Sequence, residues 1–197
     1  MTSDTIERLT QQFRTNRIRF NAFCVSLSDE ELERPVQDST YRVKDFASHL
    51  ATLDTELTRW FEAVSEGEIN APAQSADGSP FNVDQWNDAR VAERCDWSLG
   101  QILDEAAHNR AAFLEALSQL TDEGIEQTFH FAGDNKRDPA DIPFKLFLFG
   151  LARHDPIHVA DMLKALPERA GDPEIQAWLD DPAVKWYQNA MSGPPKR

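Results

Sequence analysis

Apolar residues recur every three or four positions along most of this chain, the period of helices with one buried face. Ile6, Leu9, Phe13, Arg17, Phe20 and Cys24 form one such stripe and predict a first helix over 4–24, with Ser3 as its cap. Ser28 with Glu31 reads as a capping box for a short helical turn that stops before Pro35. A second long helix is expected over 44–65, on the stripe Phe46, Leu50, Leu53, Leu57, Trp60, Phe61 and Val64. A shorter helix follows over 83–94. Ser98 and Gln101 make another capping box and open a long helix over 99–120, with Ile102, Leu103, Ala106, Phe113, Leu114, Leu117 and Leu120 facing inward. The last long helix starts at Asp138-Pro139 or at Asp141-x-Pro143. Its stripe is Phe144, Phe147, Leu148, Leu151, His154, His158, Met162 and Ala165, and it ends before Pro167. Two short helical pieces, over 174–179 and 183–191, complete the tail, anchored by Trp178, Val184 and Trp186.

Between these elements lie two longer connections. Residues 66–82 carry two prolines and two glycines among small polar residues. Residues 121–138 are polar and irregular, with 128–131 as a short extended piece. No alternation is long enough to predict a sheet. The pattern therefore predicts an all-α protein, a four-helix bundle with additional short helices in the connections and the C-terminal tail. It is read as a single domain over 1–197, with the bundle core at 4–166 and a helical extension at 167–191.

Composition narrows the partners. The 197 residues include 20 basic and 34 acidic side chains, a formal net charge of −14. Such a surface repels nucleic-acid backbones and anionic membranes, so neither is expected as a partner. No apolar run approaches the roughly 20 residues of a spanning helix. The N-terminus enters a charged amphipathic pattern at once, without the look of a signal peptide. Cys24 and Cys95 stand far apart and suit reduced thiols, so a cytoplasmic protein is expected. Cys24 is expected in the core and Cys95 nearer the surface.

The candidate chemistry lies in Arg153-His154-Asp155-Pro156-Ile157-His158. His154 and His158 are four residues apart, which sets both imidazoles on one helix face. His49 borders the inward stripe of the second long helix. A single inward histidine is more often a hydrogen-bonded core residue than a ligand. Two at this spacing, with a third on another inward face, strengthen the case for a shared divalent ion with an open coordination position beside that plainer alternative. Pro156 has no N–H for the Ala152 carbonyl, so a bend is expected there, freeing that carbonyl. Asp45, Asp155 and Asp161 are candidates to orient a ligand ring. His108 is expected on the surface and His130 in a loop. The abundant carboxylates read as solvated helix faces.

Several stretches resemble one family. Tyr41-Arg42-Val43-Lys44-Asp45-Phe46-Ala47-Ser48-His49-Leu50-Ala51 resembles the start of the second helix in DinB-like proteins. This superfamily includes the YfiT-type proteins and the N-terminal domain of mycothiol-dependent maleylpyruvate isomerase. The segment from His154 to Met162 is similar to the family's fourth-helix HxxxH, and 81–120 resembles its middle. Tyr41 stands where tryptophan is more usual, and Pro156 inside HxxxH is a departure. The tail after Leu166 does not resemble the isomerase's second domain, so isomerase activity is not carried over. The resemblance implies a four-helix bundle with His49, His154 and His158 as metal ligands. It also implies a divalent-metal-dependent enzyme, with zinc or nickel, in which water or a low-molecular-weight thiol is deprotonated for S-transfer or hydrolysis of a small-molecule substrate. The competing expectation is a non-catalytic bundle that binds a small molecule or serves in stress response. Helix faces of this kind are also compatible with a homodimer.

Overall fold

The computed structural model describes residues 4–67 and 81–191. The Ser3 cap and most of the 66–82 connection lie outside the described residues. The long helices form where the apolar stripes predict them: α1 (Asp4–Val25), α3 (Val43–Ser65) and α5 (Leu99–Ser118). The short helices α2 (Asp29–Leu32) and α4 (Val83–Ala92) also appear, and Ser28 and Ser98 both make complete capping boxes. The chain divides into two compact units. One comprises Met1–Gln11 and Ala47–Phe149, the other Gln12–Phe46 and Gly150–Arg197.

In the first unit an aromatic cluster fills the core. Trp60 packs edge-on against Phe129, Phe144 and Phe147, with ring centroids 4.9–5.2 Å apart, and Phe61 lies 5.3 Å from Phe113. Such edge-to-face contacts add to the apolar area these rings bury. Two polar links tie α3 to α5: Asn109 Nδ2 donates to the Ala51 carbonyl at 2.8 Å, and Arg110 Nε donates to Asp54 at 2.8 Å. Both members of that ion pair are buried, so these charges are not solvated helix faces.

The 121–138 stretch is more ordered than its polarity predicts. Thr121 caps a short α6 (Asp122–Ile125), and β1 (Thr128–Phe131) pairs antiparallel with β2 (Ala140–Pro143). The expected absence of a sheet is thus corrected by this two-stranded hairpin. Four-residue strands in which only Phe129 is fully buried leave too little alternation to read. The loop between the strands grips the start of α4 through Asn135. Its N–H donates to the Phe81 carbonyl, its Oδ1 accepts from Val83 N–H, and its Nδ2 donates to Asp84. The helix after the hairpin, α7 (Phe144–Leu151), begins directly at the end of β2.

In the second unit, α1 and α2 contribute Phe20, Cys24 and Leu32 to a core that also holds Val43, Met162, Leu166 and Val184. Glu31 accepts two hydrogen bonds from Arg169, at 2.7 and 2.9 Å. The tail forms α9 (Pro173–Leu179), opened by an Asp172 cap and Pro173, and α10 (Pro182–Met191). Trp178 and Val184 are buried anchors, whereas Trp186 is 70% exposed, contrary to expectation.

The last long helix is not continuous. It ends at Leu151 and resumes as α8 (His154–Met162). The interruption falls at 152–153, one turn before the expected bend, because Pro156 occupies the third position of α8. A first-turn N–H has no intrahelical partner, so proline is tolerated there. The Ala152 carbonyl is freed as expected, and Asn16 Nδ2 donates to it at 2.6 Å.

Candidate metal centre

His154 is the first residue of α8 and His158 lies one turn on. The two imidazoles face each other with Nε2 atoms 2.7 Å apart. Metal–nitrogen bonds of about 2.0–2.1 Å place two cis ligand nitrogens at roughly 3 Å, close to this separation. His158 is buried, with Phe46 packed 5.2 Å from its ring. Its other nitrogen, Nδ1, meets Asp161 Oδ2 at 3.3 Å.

That contact assigns the orienting carboxylate among the three candidates. Asp161 is held ionised: burial pushes its carboxyl up, but hydrogen bonds from His158 and Lys164 more than offset this and leave it below its ordinary value. An ionised carboxylate accepts from Nδ1–H and directs the Nε2 lone pair of His158 toward His154. Asp45 serves elsewhere. It accepts from the Arg42 backbone N–H at 2.8 Å and from the Arg42 guanidinium at 3.0 and 3.1 Å. Asp155 pairs with Arg17, through Nε to Oδ2 at 3.0 Å and Nη2 to Oδ1 at 3.1 Å.

His49 belongs to the other unit, where it is buried on α3. Its carbonyl accepts the Thr52 hydroxyl at 2.9 Å. His108 is exposed on α5. His130 is exposed on β1, with Nδ1 2.8 Å from Asp141. Cys24 is fully buried, and burial pushes its thiol up to about 12, which suits an inert core residue. Cys95 is exposed.

Two residues near the pair escape a reading from spacing: Asn16, and Arg17 in its role as partner of Asp155. Their signal was the position of Arg17 on the inward stripe of α1, since a buried guanidinium requires a partner.

Sequence comparison matches residues 13–143 to the mycothiol maleylpyruvate isomerase N-terminal domain. The chain belongs to this family. The matched span contains His49 and ends before His154. Among solved structures, the mycothiol-dependent maleylpyruvate isomerase is similar with a TM-score of 0.60 at 13% identity, over 80% of this chain and 60% of that one. A histidine-to-alanine mutant of the same enzyme gives the same values. The chain therefore spans less than two thirds of the isomerase. No curated protein matches it. The family and these neighbours make the fold a DinB-like all-α helical bundle with extra short helices. Among the described residues, no helix is long and apolar enough to cross a membrane.

Proposed function

We propose that the protein is a divalent-metal-dependent enzyme in which His49, His154 and His158 hold one ion, with zinc or nickel as the metal. The observation that carries this reading is the His154–His158 pair, with Nε2 atoms 2.7 Å apart and one ring oriented by Asp161. Neutral imidazoles suit these ions, and a carboxylate behind a ligating histidine is a common support. Family membership supports His49 as the third ligand, since the matched span includes the start of the second long helix. When bound, such an ion lowers the pKa of a coordinated water or thiol.

The substrate is then a small molecule, and the reaction an S-transfer with a low-molecular-weight thiol or a hydrolysis. The thiol is suggested by the name of the family and its structural neighbour. The chain's own contribution is to orient His158 through Asp161 and to keep its ring largely out of water. The competing reading, a non-catalytic holder of a hydrophobic molecule, finds little support in the open cavity of about 600 Å³ between α8 and the tail. Its walls mix Ala160, Leu163 and Leu179 with Lys164, Gln176 and Lys185, and so do not form the predominantly apolar lining such a ligand calls for.

Elemental analysis after supplementation with zinc or nickel tests the proposal. One equivalent of metal per chain is expected, with loss of occupancy in His154→Ala and in His49→Ala. Metal-free protein after supplementation, or unchanged occupancy in both variants, would overturn it.

A further inference from the structure

The helix that carries the histidine pair starts without a cap of its own. Arg153 occupies the N-cap position with no side-chain hydrogen bond to the first turn, and Pro156 offers no N–H. A helix nine residues long depends on its ends for definition, and His154 is its first residue.

Two consecutive residues of α1 hold the chain on either side of His154. Asn16 Nδ2 donates to the Ala152 carbonyl, two residues before His154. Arg17 makes two hydrogen bonds to the carboxylate of Asp155, one residue after it. Both members of the ion pair are buried, at 4% and 3% exposure, so the pair is shielded from solvent screening. A planar guanidinium bonded twice to a carboxylate fixes direction as well as distance. Asn16 is itself held, since Trp178 Nε1 donates to its Oδ1 at 2.9 Å. On the tail side, Arg153 pairs with Asp181 at 2.9 Å. His154 thus stands between two anchored points on one neighbouring helix.

We infer that Asn16, Arg17 and Asp155 are positioning residues for His154. They set the direction in which its imidazole meets His158, and so the affinity and ligand field of an ion held there. This rests on the proposed metal site. In this role Arg17 acts through Asp155, to which it donates twice. Lysine at position 17 would keep the charge but lose the two-point geometry.

Cobalt(II) titration of the full-length protein, followed by its visible d–d bands, tests this. Wild-type protein is expected to bind one equivalent. Arg17→Lys and Asn16→Ala are expected to bind at least tenfold more weakly, with shifted or weakened bands in the fully loaded state. A purely structural role would lower thermal stability but leave the spectrum of folded, loaded protein unchanged. Should Arg17→Lys fail to fold, Asn16→Ala decides, since it removes only uncharged bonds. Wild-type affinity and spectrum in the folded variants would overturn the positioning role and leave the metal site standing. Failure of the wild-type protein to bind cobalt, zinc or nickel would overturn both.

Discussion

Arg110 donates through Nε to Asp54 at 2.8 Å, joining α5 to α3 by an ion pair whose side chains are 9% and 2% exposed. Two charges so far from water depend on being paired. Breaking such a buried pair by removing one member costs about 3–5 kcal/mol, whereas replacing both with apolar groups is often neutral. Arg110→Met should therefore lose stability on that order in urea unfolding. The double variant Arg110→Met/Asp54→Leu should recover much of the loss. A double variant as unstable as the sum of the singles would show that the pair does not act as a unit.

Asp161 orients the ring of His158 at 3.3 Å while staying partly exposed. Asp161→Ala should cost roughly 10–100-fold in zinc or nickel affinity, as is usual for a carboxylate behind a ligating histidine. Competition with a chromophoric chelator measures this. Equal affinity in the variant would remove Asp161 from the site.

Acid should loosen the link between α2 and the segment after α8. Hydrogen bonds from Arg169, aided by the Ser28 backbone N–H, hold the Glu31 carboxyl down at about 2, against an ordinary 4.5. A depressed folded-state pKa gives stability that is complete above the ordinary value and fades as pH falls toward the folded one. Glu31→Gln should thus be less stable than wild type at neutral pH. The gap should narrow from pH 4.5 downward and close near pH 2. Denaturation midpoints across that range give the comparison, and a pH-independent gap would contradict it.

Thiol labelling should separate the two cysteines. Burial pushes the Cys24 thiol up to about 12, whereas Cys95 is exposed. At pH 8, a disulfide reagent should modify Cys95 promptly and Cys24 only after unfolding. Rapid modification of both in native protein would mean that the core around Cys24 opens readily.

Much of the helical layout could be read from the sequence because it is written in the period of apolar residues. α1, α3 and α5 each carry a long stripe, and Ser28 and Ser98 mark their helix starts by local chemistry. The His154–His158 pair was legible for the same reason: four residues on a helix is one turn. The division into α7 and α8 was not. Leu151 and His154 continue the apolar stripe across the break, and what makes the break tolerable is Asn16, 136 residues away. The hairpin was hidden because its strands are four residues long and their pairing is tertiary. Asp54 was misread as solvent-facing, and Asp155 offered as a ring-orienting carboxylate, because an acidic residue on a helix looks the same in sequence whether it meets water, an imidazole or, as both of these do, an arginine on another helix.

The grip of Asn135 on the start of α4 bears on how this chain can vary. Surface loops usually accept insertions at little cost. The loop between β1 and β2 delivers one residue to Phe81, Val83 and Asp84, Asn135 bonding the first through its backbone N–H and the other two through its side-chain amide, with Oδ1 2.9 Å from the Val83 nitrogen. It is also pinched at Gly133, which has φ +88° and where a Cβ would come within 3.0 Å of the Arg137 carbonyl. Its length is therefore tied to a point about fifty residues earlier in the chain. Relatives that gain or lose a residue here should show a compensating change at the start of α4, making the two stretches a single unit of inheritance.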